Sequence, residues 1–207
     1  MQWHRQYDDP ASHLSRRLAL VQGHLRGALD GAPQGDLRLI SMCAGEGRDV
    51  IPVLTEHPRR GDVRARLVER DERNVETARW SAERAALAKV EVVCDDAGMI
   101  GSYDGAVPAH ILLVCGVFGN ISDEDVANTV ENLPALCEPG ATVIWTRHRR
   151  APDLTPAIRT WFEEAGFAEV AFDDQEERSV GVGVHRLVGD PHRAQTAERL
   201  FKFLSDT

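Results

Sequence analysis

Five short segments of this sequence carry side chains or backbone suited to chemistry, and each follows an apolar run. Cys43-Ala44-Gly45-Glu46-Gly47 is a two-glycine turn whose amides could hydrogen-bond an anionic group. Glu69-Arg70-Asp71 and Asp95-Asp96-Ala97 each place a carboxylate at a run's end, the first suited to two ribose hydroxyls and the second to an adenine amino group. Cys115-Gly116-Val117-Phe118-Gly119-Asn120 offers close backbone approach at the glycines, apolar contact at Phe118 and hydrogen bonding at Asn120. Arg147-His148-Arg149-Arg150 sets a titratable imidazole among cations, in which Arg147 and Arg149 could receive an anionic substrate. Each feature has an ordinary alternative: carboxylates as solvated caps or turn residues, His148 as a surface histidine, the arginines as partners of the acidic stretch from Asp173 to Glu177. Their recurrence at successive strand ends is what implies an adenosine-bearing ligand.

The elements that must position these segments alternate. Apolar runs at Leu37–Met42, Ala65–Val68, Val90–Cys94, Ala109–Cys115 and Thr142–Thr146 read as strands. Between them, helical spacing is expected from Asp49 to Glu56, from Glu72 to Ala88, from Ser122 to Leu136 with a stop at Pro139-Gly140, and from Thr155 to Ala165. Five such alternations predict one α/β, doubly wound Rossmann-like domain with helices on both faces. The last two runs, Ala168–Phe172 and Val180–Val188, are close enough only for an antiparallel pair, making a seven-stranded, mostly parallel sheet with an antiparallel last strand. In such sheets ligands bind beyond the carboxyl ends of the strands, the edge to which all five segments map.

Three portions follow. Residues 1–36 hold an N-terminal segment and a helix capped by Ser12, with Leu14, Leu18, Val21, Leu25 and Leu29 on one face. That helix is expected to pad the sheet, and the segment before it, with Trp3, His4 and Tyr7, to act as a lid over the site. Residues 37–190 form the cofactor-binding catalytic domain. Residues 191–207 are expected to form a helix, with Ala194, Ala197, Leu200, Phe201 and Leu204 on the face that packs on the domain or on a partner subunit in a homodimer.

The chain has 207 residues and a net charge of −9, which opposes non-specific binding to phosphate backbones and disfavours nucleic acid as a partner. The four cysteines show no CxxC pair, so buried free thiols are expected rather than a metal site. No apolar stretch has the length of a signal peptide or a membrane span, which points to a cytoplasmic protein with no membrane partner.

At this point the pattern resembles the class I S-adenosylmethionine-dependent methyltransferases over roughly Leu37 to Val188. The residues that carry the likeness are Ser41-Met42-Cys43-Ala44-Gly45-Glu46-Gly47, Glu69-Arg70-Asp71-Glu72-Arg73-Asn74-Val75, Asp95-Asp96-Ala97 and the closing antiparallel pair. The resemblance implies S-adenosyl-L-methionine as cofactor and S-adenosyl-L-homocysteine as product. It lays Cys43, Ala44, Gly45 and Gly47 against the methionine part, Glu69 with Arg70 at the ribose, Asp96 with Ala97 at the adenine, and Cys115 with Gly116 along the fourth strand. Ser41 stands where the family usually has an acidic residue, and Cys43 where it usually has a glycine, so Cys43 must adopt a conformation its side chain can bear.

Methyl transfer is a displacement at the sulfonium methyl, in which the protein aligns the acceptor and excludes water. His148 is the first candidate base, followed by Tyr7 and His4, while Phe118, Asn120, Arg147 and Arg149 would line the acceptor pocket. No Asn-Pro-Pro-Tyr or Asp-Pro-Pro-Tyr follows the fourth strand and no metal-binding carboxylate set is apparent. A small-molecule acceptor, anionic where the arginines receive it, is therefore expected, with no metal. Two alternatives stand beside this reading. One is an NAD(P)-binding Rossmann oxidoreductase, since Gly45-Glu46-Gly47 begins GxGxxG, although Val50 occupies the third glycine position. The other is a non-catalytic S-adenosylmethionine-binding interaction module.

Overall fold

A computed structural model describes residues 12–174, 180–189 and 198–204. Its elements in chain order are α1 (His13–Gly31), β1 (Leu37–Met42), α2 (Ile51–Glu56), β2 (Val63–Glu69), α3 (Glu72–Arg84), β3 (Val90–Cys94), β4 (Ala109–Val114), α4 (Asp123–Asn132), β5 (Cys137–His148), α5 (Thr155–Glu164), β6 (Phe167–Asp174) and β7 (Val180–Leu187). The strands form one sheet in the order β3-β2-β1-β4-β5-β7-β6, in which β7 runs antiparallel to both neighbours and all other pairs are parallel. The doubly wound architecture expected from the sequence is the one observed.

Strand alternation builds the two layers. Leu39, Ile111 and Leu113 pack beneath α1, α2 and α3, with Val21, Leu25, Leu29, Leu54, Val75 and Ala78. Their sequence neighbours Ile40, Met42, Leu112 and Val114 face the opposite layer, where Val126, Val130, Ile158 and Phe162 come from α4 and α5. Trp145 lies at the centre of that layer, its ring 5.8 Å from Phe162 and 5.9 Å from Phe118. It fits because Gly183 opposes it across β7, where an added Cβ would come within 2.2 Å of the indole.

Local sequence accounts for most boundaries. Ser12 accepts from the Ser15 amide at 3.0 Å and caps α1, and Ser122 accepts from the Asp125 amide at 3.0 Å and caps α4. The helix expected to reach Leu136 ends instead at Asn132. Pro134 has no amide to continue the ladder, so Leu133–Leu136 tightens into a 3₁₀ turn. Pro139-Gly140 then falls within β5 rather than ending a helix.

The C-terminal segment departs from expectation. Its described part, 198–204, is extended rather than helical and forms isolated bridges between Arg199 and Met99 and between Phe203 and Ile121. Leu200 and Phe201 are both buried in the layer beside α4. Adjacent residues cannot share one narrow helix stripe as well as they share this groove, where backbone bonds from Leu200 to Gly98 and from Leu204 to Asn120 fix the path. Trp3, His4, Tyr7, Ala194, Ala197 and the stretch from Gln175 to Glu177 lie outside the described residues. No described helix is long and apolar enough to cross a membrane.

Candidate functional site

The strand order reverses between β1 and β4, since β2 and β3 extend the sheet to one side of β1 and β4 starts the other. A crevice is expected beyond the carboxyl ends of those two strands. One is found there, with a volume of about 250 Å³. Cys43, Ala44, Gly45, Glu46, Arg48 and Asp49 line it from the turn after β1, Cys115, Gly116 and Asn120 from the segment after β4. Arg17, Leu18 and Val21 reach it from α1, and Asn74 from α3.

The turn after β1 is built from three left-handed residues, with φ of 53° at Cys43, 55° at Gly45 and 71° at Gly47. The requirement on Cys43 is therefore met by a conformation that costs a side-chain-bearing residue about 1–2 kcal/mol. The two glycines differ in what surrounds them. A Cβ on Gly47 would lie 2.6 Å from Ile51 Cδ1, so this glycine lets α2 pack on the turn. A Cβ on Gly45 would meet nothing within 4 Å, and the same holds at Gly116, where φ is 75°. Those two backbones face open space across the cleft from each other's strands.

Three of the turn amides expected to cradle a ligand are engaged within the protein. The Ala44 amide donates to Val68 O at 2.9 Å, the Gly47 amide to Ala44 O at 2.8 Å, and the Gly45 amide to Glu69 Oε2 at 2.8 Å. Tight curvature over three left-handed residues turns these donors inward, where the protein's own acceptors take them. Glu69 Oε1 also accepts from the amides of Arg70 at 3.0 Å and Asp71 at 2.9 Å. Thus Glu69 stands at the expected strand end with its carboxylate clamped, while Arg70 contributes its amide and its side chain is exposed.

Asp96 stands at the end of the next strand. Its Oδ1 accepts from the Gly98 amide at 2.8 Å, and its Oδ2 pairs with Arg199 Nη1 at 2.8 Å. Ala97 is buried beside it, its carbonyl accepting the Tyr103 hydroxyl. The Cys43 thiol links the two acidic positions: burial, then the charges of Glu69 and Asp96, push its titration well above the ordinary thiol range. Cys43 is therefore a protonated, inert thiol wall. Burial does the same to Cys115.

The acceptor-side expectations fare unevenly. Asn120 lines the cleft, with its side-chain amide donating to Gly116 O at 2.7 Å. Phe118 does not line it; it is fully buried against Trp145, because an apolar ring gains more in the core than at a polar rim. Arg147 is buried too, its guanidinium donating to Phe118 O and lying 3.6 Å from Asp123. Arg149 pairs with Asp153 and Asp174. These two arginines hold the fold together rather than facing an anionic ligand.

His148 is half-buried, packs against Gly119 and has no partner at Nδ1. Burial, then the charges of Arg147 and Arg150, hold its titration below the usual imidazole range, so it is neutral near pH 7. It is not among the residues that line the cleft.

Arg17 and Asp49 were not singled out by sequence reasoning. Asp49 had a signal, four residues beyond Gly45, but it reads equally well as the start of a helix. Burial pushes its carboxyl titration up, opposed by a hydrogen bond from the backbone and by the charge of Arg17. Arg17 had no signal, since α1 meets the turn only in three dimensions, where Gln22 Nε2 donates to Arg48 O at 2.8 Å. In α1, Val21, Leu25 and Leu29 are the buried residues that pad the sheet, and Arg17 and Leu18 line the cleft.

No family model and no curated protein matches the sequence. Solved structures do match in fold. The chain superposes on magnesium protoporphyrin IX methyltransferase from Synechocystis PCC 6803 with a TM-score of 0.65 at 13% identity, over 89% of this chain and 88% of that one. That structure contains bound S-adenosylmethionine. An O-methyltransferase family protein from Burkholderia thailandensis gives a TM-score of 0.65 at 15% identity over 83% of this chain, which spans 55% of that protein's length. A protein from Bordetella parapertussis described as a possible exported protein gives 0.61 at 20% identity, over 81% of this chain and 67% of that one. What these proteins share with this chain is the fold.

Proposed function

We propose that this chain, which has the fold of class I S-adenosylmethionine-dependent methyltransferases, binds S-adenosylmethionine and methylates a small molecule, releasing S-adenosylhomocysteine. The observation that carries the reading is the internal satisfaction of the Ala44, Gly45 and Gly47 amides. A dinucleotide's pyrophosphate requires such donors to be free, whereas a sulfonium cofactor brings no phosphate to them. Val50, at the third position of the dinucleotide pattern, is fully buried and leaves no room for the close packing a glycine there allows. Both features support a sulfonium cofactor over a nicotinamide dinucleotide.

The residues present fit the cofactor. Gly45 and Gly116 leave open backbone on either side of the cleft. Glu69 accepts three amides, and a carboxylate has about four lone-pair sites, so an acceptor remains for a ribose hydroxyl. Asp96 and Ala97, beyond the crevice lining at the end of β3, would border the base, as the resemblance implies.

When bound, S-adenosylmethionine supplies an electrophilic methyl on sulfur. The chain's work is alignment and exclusion of water, with Leu18 and Val21 as the apolar wall and Asn120 as a hydrogen-bonding group at the acceptor side. The cationic groups lining the cleft are Arg17 and Arg48, the latter paired with Glu46 Oε2 at 2.7 Å, and an anionic acceptor would meet them there. His148 is the residue we assign as base where the acceptor must lose a proton; its Nδ1 is buried and the ring does not line the cleft, so that role requires the side chain to turn toward the acceptor.

Calorimetry with S-adenosylmethionine, S-adenosylhomocysteine and NAD tests the cofactor. Binding of the two sulfur compounds and not of NAD is expected, and preferential binding of NAD overturns the proposal. Mass-spectrometric screening for methylated products across carboxylate, phenol and amine acceptors tests catalysis. Cofactor binding with no product from any acceptor would favour the non-catalytic module.

A further inference from the structure

The loop after β3 is not a free edge, because the extended segment 198–204 is laced along it. Ile100 N donates to Glu198 O at 3.1 Å, and Leu200 N donates to Gly98 O at 2.7 Å. The approach is close enough that a Cβ on Gly98 would lie 2.3 Å from Phe201 O. Further along, Asn128 Nδ2 donates to Leu200 O at 2.7 Å, and Leu204 N donates to the carbonyl of Asn120, a cleft residue, at 3.0 Å. The segment therefore straps the loop after β3 to the segment after β4, which lines the crevice through Asn120.

Its one side chain directed at a site carboxylate is Arg199. Nη1 lies 2.8 Å from Asp96 Oδ2 and 3.2 Å from Phe201 O, while the Gly98 amide holds Oδ1. With one oxygen held from its own loop and the other from the strap, the carboxylate has a fixed rotamer, and neither partner alone would fix both oxygens. Groups that contact a ligand are held in productive geometry by such outer hydrogen bonds.

We infer that Arg199, delivered by the C-terminal strap, is a positioning residue for the nucleobase: it fixes the Asp96 carboxylate for recognition of an aminopurine edge. The inference rests on the reading of Asp96 as the base-recognising carboxylate. It makes affinity for any adenine nucleoside depend on a residue 103 positions away in sequence. It also separates anchoring of the strap, which Leu200 and Phe201 provide by burial, from the contribution of Arg199.

The test is a double-mutant cycle read by calorimetry with S-adenosylhomocysteine and with 5′-methylthioadenosine, which lacks the amino-acid end. Arg199→Ala is expected to weaken both ligands by about tenfold, the loss typical of one charge-assisted hydrogen bond, and Arg199→Lys to recover part of it. In an Asp96→Ala background, Arg199→Ala should change neither affinity by more than about twofold. An equal loss in both backgrounds overturns the inference, since the arginine would then act on the fold alone. Wild-type affinity in Arg199→Ala, or tighter binding, overturns it as well. Unchanged affinity in Asp96→Ala overturns the reading of Asp96 as the base-recognising carboxylate and the inference with it, whereas failure of the wild-type protein to bind either ligand overturns the cofactor reading itself.

Discussion

The Glu69 carboxylate accepts the Gly45 amide at 2.8 Å, so the end of the second strand is clamped to the turn that follows the first. One side chain therefore shapes the turn while remaining available to a ligand. The same carboxylate gathers the amides of Arg70 and Asp71, which makes its position independent of any bound molecule.

Replacing Glu69 by Ala should act on both functions. Three amides lose their acceptor in a half-exposed place where water can substitute, and stability should fall by about 1–3 kcal/mol. Affinity for S-adenosylhomocysteine should fall by at least tenfold, the loss of one charge-assisted bond. Denaturant unfolding and calorimetry on one preparation separate the two effects, and unchanged affinity would remove Glu69 from the site.

Gly45 and Gly47 should respond differently to the same change. Gly47→Ala places a Cβ 2.6 Å from Ile51 at a positive φ, so it should cost stability through both strain and overpacking, about 2–4 kcal/mol together. Gly45→Ala meets no protein atom, so only the conformational cost of about 1–2 kcal/mol applies. Its methyl enters the cleft, however, and ligand affinity should drop while the protein stays folded. Equal effects of the two substitutions on melting and on binding would contradict this division.

His185 should set part of the acid limb of stability. It is fully buried and stacked on Phe162 at 4.4 Å, and its Nδ1 accepts from Trp145 Nε1 at 3.1 Å. Burial is the main cause that pushes its titration down to about 4 from an unfolded value near 6.5. A depressed imidazole favours the fold fully above pH 6.5 and loses that contribution as pH falls toward 4, by about 3 kcal/mol in all. Urea unfolding between pH 7.5 and 4.5 should show the slope. His185→Gln should be less stable at neutral pH yet flatter over that window, and an unchanged slope would assign the acid limb to other groups.

His148→Ala should leave cofactor affinity near wild type, since the ring stands outside the cleft wall. Turnover should fall by about 10²- to 10⁴-fold if the imidazole removes the acceptor's proton. Because burial and two arginines lower its titration, the rate should hold constant above pH 6.5 and decline only below it. The variant should lack that limb. Wild-type turnover with an unchanged profile would return His148 to a packing role against Gly119.

Much of this was legible from local sequence. Apolar runs of strand length ending in Gly45, Glu69, Asp96 and Gly116 placed those residues on one sheet edge, because parallel strands joined by helices leave all their carboxyl ends on the same side. Helix caps at Ser12 and Ser122 were equally plain, since capping is a contact three residues long. Side-chain destination was not legible where one residue type suits two environments. Phe118 and Arg147 follow strands as pocket residues would, yet the ring is taken by the Trp145 cluster and the guanidinium by the Phe118 carbonyl. Pro134 was a local signal that was passed over in favour of the more conspicuous Pro139-Gly140.

Sequence by itself determined the order of strands and helices and the residues at the strand ends, since both follow from periodicity and turn chemistry within a dozen residues. Tertiary structure decided what those ends can do. Only folding brings Glu69 to the Gly45 amide, Arg17 to the wall opposite Asn120, and Arg199 to Asp96, because each contact joins segments whose separation along the chain carries no pattern. The turn's amides were read as donors for a ligand, and the fold spends them on itself. That difference is a matter of where three N–H groups point.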